Sequence, residues 1–319
     1  MRVLVTGGNG LVGSALIDLL CERGNQVAVL DKTHDAEDFS KAEERGIRFY
    51  KRNLANFNHV LEVVSEFRPE IIFHLGSMLS VPCENNVHQG LRVNVGGIYH
   101  ILEAARLFDV RQVIYSSTLT TFDRDLNGRI VDDETIQRPT TLYGITKYFG
   151  ENLGRYYRNK YGIDFRAVRF SAIVGPGAKT KHIAVYNAWM IEKSFRNEPF
   201  EIFVTPETQS SLTYYKDAAK SLLLLSQAPK DNVVTVCYNL PGIPLSAGAL
   251  AKEVERIVPT AQLTYNPDPE IVSIWERKGR VEYDGTKARE EWGWSPTYTV
   301  EGMIRDFGVE VQKSNHIEN

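Results

Sequence analysis

The sequence predicts an α/β fold: a doubly wound parallel sheet with a smaller, discontinuous C-terminal unit. Short apolar runs alternate with helix-length amphipathic segments from residue 1 to about 170, the pattern of strands joined by crossover helices. Several of these runs lack polar alternation, as strands do when both of their faces are covered. After Phe170 the texture changes, and Pro241, Pro244, Pro259, Pro267, Pro269 and Pro296 break the remainder into short pieces.

Residues 3–5, 27–30, 48–50, 71–74, 113–116 and 165–170 read as strands, separated by helices over 11–23, 59–67, 93–108 and 143–161. Beyond them, Val174-Gly175-Pro176-Gly177 is a loop, residues 183–196 read as a helix, and residues 209–214 lead into another over 215–227. The expected division is a first unit over 1–172, to which 208–240 returns, and a second unit from 173–207 and 241–312 lying over the sheet's carboxyl edge. Residues 313–319 are a polar, frayed tail.

Composition excludes several classes. The 319 residues, 43% of them hydrophobic, suffice for a large core, and a net charge of −3 carries none of the basic excess of a nucleic-acid binder. Cys21, Cys83 and Cys237 are odd in number, scattered and without metal-ligand spacing, so reduced thiols in a cytoplasmic protein and no metal are expected. The N-terminus runs straight into a strand, which leaves no room for a signal peptide. The longest apolar stretches, such as 222–225, are far too short to span a membrane.

Gly7-Gly8-Asn9-Gly10-Leu11-Val12-Gly13 follows the first strand and opens the first helix, with glycines at Gly7, Gly10 and Gly13. A pyrophosphate needs a tight turn, backbone that can come close to it, and helix packed closely on strand; glycine permits all of these. The helix N-terminus then offers free N–H groups and a positive dipole end to the phosphates. Asp31 closes the second strand about 20 residues on, where a carboxylate accepts from the ribose hydroxyls and repels a 2′-phosphate. The first unit is therefore expected to be a Rossmann-type dinucleotide-binding domain that prefers NAD to NADP. Neighbouring strand residues face opposite ways, so Lys32 is expected to face solvent.

Tyr143-Gly144-Ile145-Thr146-Lys147 is the second strong signal. At i and i+4 on a helix the phenol and the ammonium share a face. A free phenol, with a pKa of roughly 10, is a poor base at neutral pH, and a fixed cation nearby is expected to favour the phenolate and suit Tyr143 to proton transfer. Tyr115-Ser116-Ser117-Thr118 ends a strand at the same carboxyl edge, where ligands bind in open α/β sheets. A hydroxyl there can hold the substrate oxygen, and spacing alone leaves Ser117 and Thr118 equivalent for that task.

Together these residues resemble the extended short-chain dehydrogenase/reductase family, which contains sugar-nucleotide epimerases and dehydratases, and the resemblance runs over nearly the whole chain. Gly7, Gly10, Gly13 and Asp31 match its cofactor motif, and the resemblance implies that Leu11, Val12 and Ser116 line the cofactor as well. His74-Leu75-Gly76-Ser77 looks like the family's His-Leu-Ala-Ala segment beside the cofactor, and Asn94 like its structural asparagine. Thr118, Tyr143 and Lys147 fall on the family's catalytic triad, whose lysine also binds the nicotinamide ribose. Arg52-Asn53-Leu54 departs from the usual Asp-Leu or Asp-Val near the adenine, where the Asn53 side-chain oxygen is expected to meet the adenine amino group.

Sugar-nucleotide members usually carry an asparagine where Ala172 stands, and an arginine that clamps the diphosphate before a Val-x-Asp-x-Ala motif, where this chain has Ser210-Ser211-Leu212-Thr213. The C-terminal half is more similar to the short-chain type of L-threonine 3-dehydrogenase, in Tyr238-Asn239-Leu240-Pro241-Gly242, Ser273-Ile274-Trp275 and Glu290-Glu291-Trp292-Gly293-Trp294 among others. The resemblance implies substrate contacts from Ser80, Thr180 and Trp275 besides Ser117, Thr118 and Tyr143. That branch's Gly-Thr-Thr-Asp-Tyr-Ala loop has become Lys179-Thr180-Lys181-His182-Ile183-Ala184, bases in place of an acid, with Arg169 one strand earlier. The expected activity is NAD-dependent oxidation of a secondary alcohol on a small polar substrate, in a homodimer built on helices 93–108 and 143–161. The alternatives are a sugar-nucleotide epimerase or dehydratase with tightly held NAD, and a dinucleotide-sensing binding protein, against which an intact Tyr143/Lys147 pair counts.

Overall fold

The structure is a computed structural model that describes residues 1–32, 44–123, 126–178, 182–279 and 281–317. From the N-terminus, β1 (Arg2–Thr6) leads through the glycine loop into α1 (Leu11–Glu22), and β2 (Gln26–Asp31) and β3 (Arg48–Lys51) follow. Helix α2 (Phe57–Phe67), capped by the Asn56 side chain, returns the chain to β4 (Ile71–His74). Two short helices, α3 (Ser80–Asn85) and α4 (Val87–Gly90), run through a π-helical turn at Leu91–Gly96 into α5 (Gly97–Leu107). Then come β5 (Gln112–Thr118), β6 (Ile130–Val131), the long helix α6 (Leu142–Tyr161) and β7 (Asp164–Phe170).

The remaining elements are β8 (Ala172–Val174), α7 (Tyr186–Phe195), β9 (Phe200–Ile202), β10 (Gln209–Tyr214), α8 (Tyr215–Gln227), β11 (Cys237–Leu240), β12 (Ile243–Ser246), α9 (Ala247–Ile257), β13 (Leu263–Tyr265), α10 (Pro269–Lys278), β14 (Glu282–Tyr283), α11 (Thr286–Trp292) and α12 (Val300–Ile317).

Seven strands form one parallel sheet in the order β11-β7-β5-β4-β1-β2-β3. The order reverses direction at β1, as in a doubly wound Rossmann sheet, so ligands gather beyond the carboxyl ends of β1 and β4. One apolar layer, including Leu16, Leu20, Leu222 and Trp292, covers one face; another, including Val60, Ile101, Leu102 and Tyr157, covers the other. Burial on both faces is why β1 and β2 read as unbroken apolar runs.

A third core, around Met190, Leu250 and Phe307, belongs to the smaller region, whose sheet orders β12-β10-β8. Residues 208–240 divide between the two regions: β10 pairs with β8 and β12, whereas β11 lies beside β7 in the large sheet. Ala288, Trp292 and Trp294, late in the chain, also pack into the first core. Among the described residues no helix is long and apolar enough to cross a membrane, no His/Cys/Asp/Glu group could hold a metal, and all three cysteines are free.

Candidate functional site

The glycine loop closes against the start of the β4 loop. Gly7 has φ +71°, and a Cβ on it would lie 2.7 Å from the Gly76 backbone. A Cβ on Gly13 would lie 2.4 Å from the Gly7 carbonyl oxygen, so the first helical turn sits directly on the loop. Gly10 is the N-cap of α1 and brings no side-chain acceptor to the first-turn N–H groups, those of Leu11 and Val12 among them. Asp31 Oδ2 accepts the Asn9 N–H at 3.3 Å, so the carboxylate stands at the loop as the motif requires. Lys32 is exposed. A cradle with no room for Cβ, first-turn helix N–H groups and an adjacent carboxylate fit a dinucleotide.

The β4 loop is braced from below. Thr6 Oγ1 bonds His74 Nδ1 at 2.7 Å and accepts the Gly76 N–H at 3.2 Å. Burial, with Lys147 adding to it, pushes His74 down to about 3, so the ring is neutral. Asn94, in the π-helical turn, accepts the Met78 N–H at 2.7 Å and donates to the Met78 carbonyl and to Thr146 Oγ1. It thus ties the segment after Leu75, Gly76 and Ser77 to α6. Leu54 is buried against Gly76, where its Cδ1 would lie 2.5 Å from an added Cβ. The exposed Asn53 uses its side-chain oxygen to accept the Ala55 N–H at 2.9 Å in an Asx turn, a local bond the spacing does not reveal. Ser80 begins α3 and is half-buried.

Helix α6 is set by two caps. Thr141 Oγ1 accepts the Gly144 N–H at 3.1 Å, and Glu84 Oε1 accepts the Leu142 N–H at 2.7 Å. A Cβ on Gly144 would fall 2.6 Å from the Thr120 carbonyl oxygen, so the helix start abuts the turn that follows β5. Lys147, almost wholly buried, donates from Nζ to the Ser116 carbonyl at 2.8 Å, 5.0 Å from the Tyr115 ring and 5.6 Å from the Tyr143 ring. Tyr143 is half-buried, and its hydroxyl has no hydrogen-bond partner among the described residues. Thr118 Oγ1 shares a 3.0 Å bond with Thr120 Oγ1 and accepts the Thr120 N–H.

Charge at this site departs from the simple expectation of a phenol lowered by a neighbouring cation. Burial, with Cys83 beside it, pushes Tyr143 above its ordinary value, and burial pushes Lys147 down to about 7. Desolvation is the largest cause at both groups, which lose water together.

Ser117 faces away from Thr118. Its hydroxyl donates to Glu151 Oε1 at 2.5 Å, and Glu151 also holds Arg169 through Nε and, at 2.8 Å, Nη2. Arg169 is therefore wholly buried in a structural pair, not free beside the cleft. Trp275 donates from Nε1 to the Ile183 carbonyl at 3.3 Å, and His182 Nδ1 accepts the Ala184 N–H at the same distance while burial lowers its pKa. Lys179, Thr180 and Lys181 lie outside the described residues. Sequence reasoning missed Glu151 and Glu84. Glu151 continues the Tyr143, Lys147 spacing by one more helical turn, a signal that was present.

Comparison with known proteins gives the family. "L-threonine 3-dehydrogenase, mitochondrial" of Bos taurus is 29% identical over 313 residues, covering 95% of this chain and 80% of its own. The solved L-threonine dehydrogenase of Clostridium difficile superposes with a TM-score of 0.89 at 26% identity, covering 98% of each chain. The UDP-glucose 4-epimerase of Thermotoga maritima, solved with UDP-glucose, gives 0.85 at 26% identity, covering 99% of this chain and all of its own. The model of the NAD dependent epimerase/dehydratase family matches residues 3–240, which hold the glycine loop, Tyr143 and Lys147, and the chain is an enzyme that belongs to that family.

Proposed function

We propose that this protein is an NAD-dependent dehydrogenase that oxidises a secondary alcohol on a small hydroxylated acid, in the manner of L-threonine 3-dehydrogenase. The observation that carries the reading is the Lys147 ammonium, fixed on the Ser116 carbonyl beside the Tyr143 ring, at the sheet edge that also holds the glycine loop. Gly7, Gly10, Leu11, Val12, Gly13, Asp31, Leu54, Leu75, Gly76, Ser77 and Ser116 would hold the dinucleotide, with Asp31 on the adenosine ribose favouring NAD. Bound NAD supplies the hydride acceptor. Thr118 orients the substrate hydroxyl, Tyr143 takes its proton, and Lys147 places positive charge beside the phenol oxygen as that proton arrives. The Tyr143 hydroxyl suits this role, because no described residue competes with the substrate for it.

Substrate size rests on the second sheet. The segment where sugar-nucleotide members carry a clamping arginine is here β10, whose Ser210 is buried and accepts from Asn187 Nδ2 at 3.3 Å. A diphosphate would find no cation on that strand. Lys179 and Lys181, in the loop that relatives close over the alcohol, favour a carboxylate on the substrate, whereas burial keeps the neighbouring His182 from adding positive charge. Helices α5 and α6 expose Tyr99, Leu107, Ile145, Phe149 and Tyr156, an apolar surface that supports a homodimer through these helices. Three scattered cysteines, odd in number, support the cytoplasmic place we assign.

The test is NADH formation at 340 nm with L-threonine, 3-hydroxybutyrate and UDP-glucose in parallel. Steady NADH release with either small alcohol is expected. Interconversion of the nucleotide sugar with NAD retained through gel filtration would overturn the reading in favour of an epimerase.

A further inference from the structure

Beneath the carboxyl edge lies a buried polar row that proton transfer does not use. Ser117, Arg169 and Asn239 are register partners on β5, β7 and β11, so their side chains point to one face of the sheet. Glu151, one turn beyond Lys147 on α6, covers this face. Its carboxylate takes the Ser117 hydroxyl, two donors of Arg169 and the Gln137 amide at 3.1 Å. Arg169 reaches on to the Asn239 side chain at 3.1 Å and the Asp133 carbonyl at 3.2 Å. Glu151 and Arg169 are 1% and 2% exposed.

Stability alone does not account for such a row. The desolvation of a buried ion pair offsets most of its attraction, and apolar residues of similar size fill such sites at no loss. What the row does provide is registration. Consecutive residues of β5 are tied to successive turns of α6: the Ser116 carbonyl to Lys147 and the Ser117 hydroxyl to Glu151, with Thr118 next in the chain.

We propose that Glu151 is a positioning residue, which through Ser117 locks the end of β5 to α6 and so holds the Thr118 hydroxyl and the Lys147 ammonium in place for Tyr143. This rests on the reading of Thr118, Tyr143 and Lys147 as the reacting set. Glu151 also bears on charge. Around the Lys147 ammonium stand Tyr115 from β5, Tyr143 and Glu151 from its own helix, Cys83 from α3 and His74 from β4. Burial lowers Lys147, and Cys83 and Glu151 act in the opposite direction.

The experiment compares Ser117→Ala, Ser117→Thr and Glu151→Gln with the wild type. Lys147 is followed by NMR of 15N-lysine-labelled protein, its signal assigned with Lys147→Arg, and NADH affinity by fluorescence. Turnover is measured on whichever small alcohol the wild type oxidises. Ser117→Ala is expected to lower kcat about tenfold, the loss of one ordered hydrogen bond felt at the reacting atoms, with KM and NADH affinity within about twofold. Ser117→Thr, which keeps the hydroxyl, should restore most of it. Glu151→Gln keeps an acceptor for Ser117 but removes the charge, and the Lys147 titration should move down by about one pH unit. A Ser117→Ala enzyme with kcat within about twofold of wild type, or a Lys147 midpoint unmoved in Glu151→Gln, overturns the proposal. If Glu151→Gln does not fold because Arg169 is left buried and unpaired, Ser117→Ala decides. Should the wild type oxidise no small alcohol, the functional reading falls, and the Lys147 midpoint still decides the role of Glu151.

Discussion

Tyr143→Phe separates chemistry from structure more cleanly than any other change at this site. The ring stays, half-buried at the start of α6 with Lys147 5.6 Å from its centre. The deleted oxygen makes no hydrogen bond among the described residues, so no native bond is lost and no buried partner is stranded. Stability should therefore stay within about 0.5 kcal/mol of the wild type, the range of a change that touches no such feature. The rate has no such protection. A positioned acid–base group contributes about 10²–10⁴-fold, or roughly 2.7–5.4 kcal/mol of barrier at about 1.36 kcal/mol per tenfold. NADH formation with the best small alcohol should fall at least 100-fold, while the thermal midpoint and NADH affinity hold. A Tyr143→Phe protein that keeps more than half the wild-type rate would refute the assignment, and one that loses rate together with its thermal midpoint would place the phenolic oxygen in folding.

Three further changes probe other links. Asp31→Ala removes the carboxylate that accepts the Asn9 N–H and that we propose to meet the ribose, so the NAD-over-NADP preference should narrow by roughly tenfold, about 1.4 kcal/mol, in paired affinity measurements; an unchanged ratio would turn Asp31 away from the ribose. Lys147 has a folded value near 7, below its unfolded value of 10.5, so the unfolded chain binds the extra proton between those limits and stability rises with pH there, by up to about 1.4 kcal/mol per pH unit. Lys147→Met should be relatively more stable near pH 7 and lose that slope in denaturant titrations at pH 7, 8 and 9; parallel curves for the two proteins would contradict it. Phe149→Glu on the exposed face of α6 should convert a dimer to a monomer by light scattering, and a monomeric wild type would remove the dimer from the account.

Much of the fold was legible because its strands are buried on both faces and its helices on one. Those two constraints write the apolar runs at residues 3–5, 27–30 and 71–74, and the 3.6-residue period of α2, directly into the chain. The glycine loop was legible for a related reason: with the Gly7 and Gly13 Cβ positions occupied by backbone, only one residue type fits. Side chains whose partners lie far off in sequence were not legible. Ser117 and Thr118 look interchangeable until Glu151, 34 residues on, claims one hydroxyl. Arg169 reads as a free cation near the cleft until its partners on α6 and β11 are placed around it. Asn53 failed differently, since its oxygen is taken two residues away in a turn that competes with any ligand.

The electrostatic expectation went astray for a reason that bears on the chemistry. Spacing puts Tyr143 and Lys147 on one helix face, and Coulomb attraction alone then favours phenolate beside ammonium. The fold also packs Lys147 under Tyr115 and against the Ser116 carbonyl, where desolvation opposes either charge. Burial accordingly favours a neutral phenol beside a lysine pushed down to about 7. If Tyr143 is the proton acceptor we propose, its phenolate would call for added positive charge at the site, which a bound oxidised nicotinamide ring would supply.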